Sequence, residues 1–444
     1  MISRRSRWSW YFYDFGNSAY ASIILLAVFS AYFKNTVVGG AEGTRLWGIA
    51  VGIAAVAVAL ISPILGTIAD FTKFKKKFLF AFTVLSVVFT ALLFFVREGD
   101  VFSGMLFFIL AEIGYRASQV FYDALLADVS TPDTIGAISG KGWAMGMVGG
   151  IIALVLVIPI QLTNNVDNTP YAFLIAAGFF LLSAIPTFLW VREIHEAEKL
   201  PENESVLLHA FKNLAKTFRS VKSYKEFIKY TVSFLVYNDG IMMLMDFAAI
   251  IGATLFGLGM IELVIFVILI QITGAVGALI FGRIADKKSG KVAVLYSLLV
   301  LIVSIGALFF IPNHVQIWFF VVGAFAGFSL SGAQAVSRGM VVQLAPPEKT
   351  AEFYGFLSVA GRTSTFIGPL VFGTLSFRMH NWAVNNGLEN AEEYGMLWGV
   401  GSIIAFLLVG GLLLMFVKRI QTNGQVTEFE AETEADIEAD IEVD

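Results

Sequence analysis

Ionisable side chains lie inside long apolar runs of this sequence, where a charge needs either a partner or water. The run near 101–122 carries Glu112 and Arg116, and the run near 227–251 carries Asp239 and Asp246. A charged side chain at the centre of a bilayer costs about 2.5–3.5 kcal/mol on insertion scales. Such residues are therefore expected to pair or to line a cavity, where they can bind a polar solute or carry a proton.

The run near 101–122 carries a stripe of four polar side chains. They follow one another at steps of four, three and four residues, which places them on one face of a helix. The four are Glu112, Arg116, Gln119 and Asp123. Glu112 and Arg116 are close enough to pair within the helix. Two interpretations stay open, because Arg116 could bind an anionic solute group or could only neutralise Glu112.

Further polar residues extend the set of candidates for binding a solute or a proton. The full set is Asp14, Asn17, Glu112, Arg116, Gln119, Asp123, Asn238, Asp239, Asp246, Gln334, Arg338 and Arg362. Asp239 and Asp246 lack an obvious base on their own helix, which favours binding of a solute or a proton over a structural ion pair. Asp14 lies near the inner end of its run, so a helix cap or an inner-gate contact is an alternative. Arg338 could bridge two halves of the molecule instead of contacting a solute.

The elements that must position these residues are apolar runs long enough to cross a bilayer. Hydrophobic residues make up 57% of the chain and charged residues 14%, far from the balance of a soluble domain. Runs of roughly 18 or more apolar residues span a bilayer. Twelve occur, near 9–33, 46–69, 78–96, 101–122, 142–162, 170–191, 227–251, 260–282, 292–311, 317–344, 353–377 and 395–417. The sequence predicts an all-α polytopic membrane protein with twelve transmembrane helices.

Two internal repeats show that the bundle is duplicated. The pentapeptide GTIAD at Gly66–Asp70 returns as GRIAD at Gly282–Asp286, each copy at the end of an apolar run and before a lysine cluster. A second correspondence has nearly the same offset. It aligns Gln119, Asp123, Pro132 and Gly140 with Gln334, Arg338, Pro347 and Gly355. Duplicated membrane bundles are typical of transporters, which bind their solute between the halves.

The distribution of basic residues predicts that both termini are cytoplasmic. With that orientation the inner segments hold most of the 30 Lys and Arg residues, and the outer loops hold only Lys34, Arg45, Arg97 and Arg378. We therefore predict two six-helix halves at 1–191 and 227–419. Residues 192–226 between them are predicted to form a basic amphipathic helix on the inner leaflet. The acidic segment 420–444 is predicted to be a disordered tail.

The sequence lacks the constellations of soluble enzymes. Cysteine is absent, and all four histidines are predicted to lie in loops, so neither a metal site nor a cofactor is expected. No Gly-rich phosphate-binding loop with its Lys-Ser/Thr pair occurs, which argues against direct use of ATP. The remaining energy source is an ion gradient or the gradient of the solute. A carboxylate in the membrane could then take up and release a proton during the cycle.

Several segments resemble a known transporter family. GTIADFTKFKKK and GRIADKKSGK are similar to the inner-loop signature of the major facilitator superfamily, although Phe71 stands where a base usually follows the aspartate. More specifically, YDFGNSAY in the first helix, FYDALLADV after the fourth and YNDG in the seventh resemble a subfamily. That subfamily contains the fungal autophagy-related vacuolar amino-acid effluxers and bacterial relatives. The resemblance extends from the first helix to the twelfth.

The resemblance implies the major facilitator fold, in which helices 1, 4, 7 and 10 line a central cavity between two pseudo-symmetric halves. It implies a secondary active transporter that works by alternating access, with amino acids as the leading solutes and Asp70 and Asp286 as gating residues. Proton coupling is expected and export is favoured. We expect a monomer in a bacterial cytoplasmic membrane, surrounded by lipid and without a nucleic-acid partner. A lipid or amphiphile exporter and a non-transporting receptor or scaffold are the alternatives.

Overall fold

The computed structural model describes residues 3–72, 74–130, 135–163, 165–193, 224–312, 315–344, 353, 357, 361 and 365–418. Within these ranges the side chains of 62–72, 127, 135–137, 139, 286, 338, 342 and 343 are not described. Most of the predicted linker helix and the whole acidic tail 420–444 lie outside this part of the chain. Every regular element in the described part is helical.

Twelve long helices lie in the described part, close to the twelve apolar runs. Eleven of them are long and apolar enough to cross a membrane. The helices are α1 Arg4–Val38, α2 Gly40–Thr72, α3 Lys75–Leu92, α4 Val101–Ala124, α5 Ile135–Gln161, α6 Tyr171–Trp190, α7 Lys225–Phe256, α8 Met260–Lys287, α9 Gly290–Ala307, α10 Gln316–Leu344, α11 Ile367–Asn385 and α12 Ala391–Met415. The prediction of an all-helical polytopic protein is confirmed.

Helix α11 differs from its predicted bounds of 353–377. Residues 353, 357 and 361 are helical as predicted, but a turn at residues 365 and 366 precedes the helix Ile367–Asn385, which extends eight residues beyond the predicted end. His380 therefore lies in a helix, and its assignment to a loop was wrong. The polar segment before Asn385 hides the helix from a hydropathy pattern. Gly387 follows the end of the helix, and its φ of 72° lies in the left-handed region that is typical just after a helix C-terminus.

Helix α1 is irregular along its second half. It is α-helical over Arg4–Tyr20, π-helical over Ala21–Ala27 and π-helical again over Phe33–Val38. π-Helical turns are rare and are frequent at functional sites because they move side chains out of the regular helical register. Hydrophobic periodicity gave no sign of this irregularity.

Equivalent helices of the two halves make similar hydrogen bonds. In the first half, the Trp10 indole of α1 donates to the carbonyl of Tyr122 on α4 over 3.0 Å. In the second half, the Tyr230 hydroxyl of α7 donates to the carbonyl of Ser337 on α10 over 2.6 Å. The first helix of each six-helix set is thus fixed to the fourth, as expected for a duplicated bundle.

Glycines allow the closest helix contacts in the bundle. A Cβ at Gly149 of α5 would collide with the backbone carbonyl of Phe15 on α1, and one at Gly277 of α8 would collide with the carbonyl of Phe328 on α10. In a membrane, apolar side chains gain little by moving from lipid to a helix interface, because both are apolar. Helix association therefore depends on close packing, which small residues such as glycine permit. These contacts hold α1 and α10 in place around the centre of the molecule.

Replacing Gly149 by alanine is expected to destabilise the bundle. The new methyl group would meet rigid backbone at Phe15, and overpacking of this kind costs about 1–3 kcal/mol. Gly178→Ala on α6 is the matched control, because a Cβ there would meet nothing within 4 Å. Melting of the purified proteins in detergent measures both effects. An unchanged melting temperature in Gly149→Ala would contradict the close contact between α1 and α5.

Candidate functional site

Three charged side chains meet at the interface between α4 and α7. The Arg116 guanidinium donates through Nε to Oε1 of Glu112, and its Nη2 lies 4.0 Å from Oδ1 of Asp246. Glu112 and Asp246 are buried. The cluster contains two acids and one base, and it joins the first six helices to the second six.

Asp246 is also held through its backbone. Its carbonyl accepts a hydrogen bond of 2.7 Å from the indole of Trp47 on α2, and this indole is fully buried. Residues of α2 and α4 therefore both fix the position of Asp246 on α7. Oδ2 of Asp246 and Oε2 of Glu112 have no hydrogen-bond partner within the described residues. A proton on one of these oxygens would reduce the excess negative charge of the cluster.

Asp239 occupies a different environment, seven residues before Asp246. Its Oδ2 accepts a hydrogen bond of 3.0 Å from the backbone N–H of Gly368, the second residue of α11. A carboxylate at a helix N-terminus is stabilised by the helix dipole and by unsatisfied N–H groups. Its Oδ1 lacks a hydrogen-bond partner in the described part of the chain, and the neighbouring Asn238 is buried.

A central cavity of about 260 Å³ lies between the two sets of helices. Of the predicted binding residues, Asp14 and Asn17 of α1, Gln119 of α4 and Gln334 of α10 line it. Gln119 and Gln334 are the positions matched by the internal repeat. Five further residues with polar groups contribute to the wall, namely Ser18, Ser22, Tyr115, Gln271 and Ser331.

Most of the cavity wall is apolar. Helices α5, α7, α8, α9 and α10 supply aromatic, aliphatic and thioether side chains. They include Trp143, Met147, Leu244, Met245, Ile251, Phe266, Ile270, Leu308, Phe319 and Leu330. A site of this composition holds the apolar part of a ligand by burial, and its few polar groups fix the orientation of the ligand.

The other candidate residues lie outside the cavity wall or outside the described part. Glu112, Arg116 and Asp246 form the ionic cluster, Asn238 and Asp239 lie near α11, and Asp123 is exposed on α4. Arg362 is not described, and neither are the side chains of Arg338, Asp70 and Asp286. Within the described residues, no group of three or more His, Asp or Glu side chains could hold a metal ion.

Sequence reasoning missed Gln271 on α8. Its Nε2 donates to Oγ of Ser22 on α1 over 3.4 Å, so it links the two sets of helices beside the cavity. A Cβ at Gly150 of α5 would lie 2.7 Å from Oε1 of Gln271 and 2.6 Å from Oγ of Ser22. The sequence did offer a signal, because Gln271 is a lone amide inside the apolar run near 260–282. Gln271 belongs to no stripe of polar residues on one helix face.

Solved structures of transporters share this arrangement across nearly the whole chain. A bacterial homologue of the human lysosomal transporter Spinster, in an inward-facing and unoccupied conformation, aligns with a TM-score of 0.72. The two sequences are 14% identical, and the alignment covers 94% of this chain and 97% of that one. A D-xylose-proton symporter aligns with a TM-score of 0.67 and 11% identity, covering 95% and 98%. The protein has the fold of the major facilitator transporters, as predicted.

Sequence comparison defines the family more closely. The model for proteins described as vacuole effluxer Atg22 like matches residues 46–135 and 127–385, and the chain belongs to this family. The uncharacterized MFS-type transporter YxiO of Bacillus subtilis (strain 168) is 27% identical over 432 residues, covering 95% of this chain and 96% of that protein. Autophagy-related protein 22 of Yarrowia lipolytica is 25% identical over 273 residues, covering 55% and 46%. The chain is an integral membrane transporter and not an enzyme.

Removing the base of the ionic cluster is expected to destabilise the protein strongly. Arg116→Met would leave two buried carboxylates without a cation, and breaking a buried ion pair in this way costs about 3–5 kcal/mol. The combined variant Glu112→Gln, Arg116→Met, Asp246→Asn removes all three charges and should recover most of the lost stability. Melting temperatures in detergent test this difference.

Lys229→Met provides the matched control for the cluster. Lys229 pairs with Glu226 across one helical turn, but its side chain is 45% exposed, and exposed pairs contribute about 0–1 kcal/mol. If Arg116→Met melts at the same temperature as Lys229→Met, the three side chains do not form a mutually dependent cluster.

Proposed function

We propose that the protein is a secondary active transporter of a small zwitterionic solute, with amino acids as the first candidates, coupled to protons. One observation carries the coupling: the buried cluster of Glu112, Arg116 and Asp246 joins the two halves and contains one acid in excess. A site with an uncompensated buried carboxylate is costly unless it binds a proton or a cation. The relatives described as effluxers support export, and the bacterial relative supports a bacterial membrane.

The proton would act on the contact between the halves. When Asp246 is ionised, it attracts Arg116 and holds α7 against α4. When Asp246 is protonated, that attraction weakens and Arg116 keeps only Glu112 as its ionic partner. The loss of one contact between α4 and α7 would change the relative populations of two conformations, as a ligand does when it binds one of them better.

Contacts at one end of the bundle support alternating access. Lys34, near the end of α1, is buried and forms an ion pair with Glu392 at the start of α12. The guanidinium of Arg45, near the start of α2, lies 5.0 Å from the ring centroid of Phe377 in the second half of α11. In the predicted orientation this is the outer end, so the outer side is closed by contacts between the halves. We propose that the inner loops containing Asp70 and Asp286 close the opposite end in the alternate conformation.

An exporter of amphiphilic molecules is the second candidate function. The aromatic and aliphatic wall of the central cavity, which includes Phe266 and Phe319, favours it. A solute with a substantial apolar part would bury that part against this wall. The two candidates differ in the size and polarity of the solute, and both use the same cavity and the same alternating access.

Asp246→Asn is expected to abolish solute-dependent proton flux and to preserve solute exchange. The amide keeps the size of the carboxylate but can no longer take up the proton. Proteoliposomes loaded with a mixture of the common amino acids provide both readouts, proton flux by a pH-sensitive dye and exchange by labelled solute. Asp239→Asn is measured in the same way. This variant removes the second carboxylate of α7, but its amide oxygen can still accept the hydrogen bond from the backbone N–H of Gly368.

Glu42→Gln is the control for this experiment, since Glu42 pairs with Arg45 at the exposed start of α2. It should leave proton flux and exchange unchanged. Proton flux of wild-type size in both Asp246→Asn and Asp239→Asn would refute coupling through these two carboxylates. Absence of amino-acid exchange in the wild-type protein would refute the proposed solute class.

A further inference from the structure

The polar side chains of the central cavity lie at one end of it. Helix α10 shows this separation along a single element. Its lining residues are all apolar from Phe319 to Leu330, and the polar residues Ser331 and Gln334 follow them. A ligand in the cavity would therefore meet polar groups at one end and only apolar side chains of α10 at the other.

Neighbouring helices repeat the separation in the same direction. Helix α8 runs parallel to α10, and its apolar lining residue Phe266 comes before the polar Gln271. Helix α1 runs antiparallel to α10, and its order is reversed, since Asn17 and Ser22 come before Leu26. Three helices thus place their polar lining groups at the same end of the cavity.

The cavity is long and narrow. Phe319 and Gln334 both line it and lie fifteen residues apart on one helix, which is about 22 Å along the helix axis. A sphere with the cavity volume of about 260 Å³ would be much shorter than this. At the apolar end, the ring centroid of Phe319 lies 4.4 Å from that of Phe266 and 5.0 Å from that of Phe256. The space fits one extended chain that ends against aromatic rings.

Two amide groups at the polar end have hydrogen-bond capacity that the protein does not use. Nδ2 of Asn17 and Nε2 of Gln334 are buried and make no hydrogen bond within the described residues. An arginine could not satisfy them, because a guanidinium only donates hydrogen bonds. Buried donors without a partner are costly. An acceptor oxygen of a ligand would satisfy these amides whatever the charge of the ligand.

We infer that the cavity binds a single-chain amphiphile. An oxygen of its head group accepts hydrogen bonds from Asn17 and Gln334, and its unbranched chain extends towards Phe266 and Phe319. The inference rests on the second candidate function and names the shape and orientation of that solute. A compact solute would leave the apolar end of the cavity empty, whereas a straight chain fills it and gains from the burial of each methylene group.

Uncharged 1-alkanols test the chain without involving the charge of the head group. Calorimetry compares 1-butanol, 1-hexanol, 1-octanol and 1-decanol on the full-length protein in lipid nanodiscs, and empty nanodiscs provide the blank for partitioning into lipid. Each added methylene group should tighten binding about fourfold, because it is buried. The isomer 2-propyl-1-pentanol has the same eight carbons as 1-octanol in two short branches. It should bind about tenfold more weakly, because branches do not fit a narrow space.

A ring placed halfway along the cavity should shorten the space for the chain. Ala326 of α10 lines the cavity and is only 7% exposed. Ala326→Phe should bind 1-butanol like the wild type but lose the gain from longer chains. Val321→Phe on the same helix is the matched control, because Val321 is 38% exposed and does not line the cavity. Ala248→Leu narrows the space from α7 and replaces Ala326→Phe if melting shows that the latter is unfolded.

Gln334→Leu tests the orientation of the ligand. Loss of one hydrogen bond to the head group should weaken every alkanol by the same factor of about five, because the head group is common to all of them. The dependence of affinity on chain length should stay as in the wild type. A loss confined to the longest alkanols would overturn the proposed orientation.

Three results would overturn the inference: affinity that does not rise with chain length, equal binding of 1-octanol and 2-propyl-1-pentanol, or an unchanged chain-length dependence in a folded Ala326→Phe variant. Solute exchange in liposomes separates these results from the proposed function. Chain-dependent binding to a protein that exchanges no solute would refute transport but keep the binding site. Exchange of solute by a protein that binds no alkanol would refute only the inference.

Discussion

Burying charge inside a helical bundle is costly unless an opposite charge lies within reach, and here a single base serves two acids. Arg116 forms the ion pair with Glu112 on its own helix and lies 4.0 Å from Asp246 on α7. Trp47 of α2 fixes the backbone of Asp246 in the same place. The halves therefore meet at a contact that would weaken if the carboxyl group of Asp246 were protonated. A contact made only of apolar packing would not respond to protons in this way.

Close backbone contacts determine what the charges can reach. Gly149 lets α5 approach α1 at the level of Phe15, and Gly277 lets α8 approach α10. Because α1 and α10 are held by backbone contacts, Asn17 and Gln334 face the cavity from fixed positions. The same small residues leave no room for adjustment, so a change of conformation is expected to move whole helices as rigid bodies.

The sequence predicted the helices well, because the twelve apolar runs depend on local composition alone. It also predicted that Gln119 and Gln334 are equivalent, because the repeat preserves them. It did not predict that Arg116 contacts Asp246, since periodicity shows which residues share a helix face but not which helix lies opposite. The π-helical turns of α1 and the turn at residues 365 and 366 were missed for a similar reason. Both depend on tertiary contacts, and neither disturbs the apolar pattern.

In both halves, an aspartate on the first helix lies against a glycine on the fifth helix. In the first half, a Cβ at Gly146 of α5 would lie 3.0 Å from Oδ2 of Asp14 on α1. In the second half, a Cβ at Gly368 of α11 would lie 2.9 Å from Oδ1 of Asp239 on α7. Each pair joins the first helix of a half to its fifth helix.

The surroundings of the two aspartates have diverged. Helix α5 continues without a break past Gly146, and Asp14 lines the cavity. Helix α11 begins just before Gly368, and its N-terminus binds Asp239. Asp14 thus faces the cavity, and Asp239 is bound to the end of a helix that packs against α2. The same pair of helices therefore forms cavity wall in one half and a hydrogen-bonded helix end in the other.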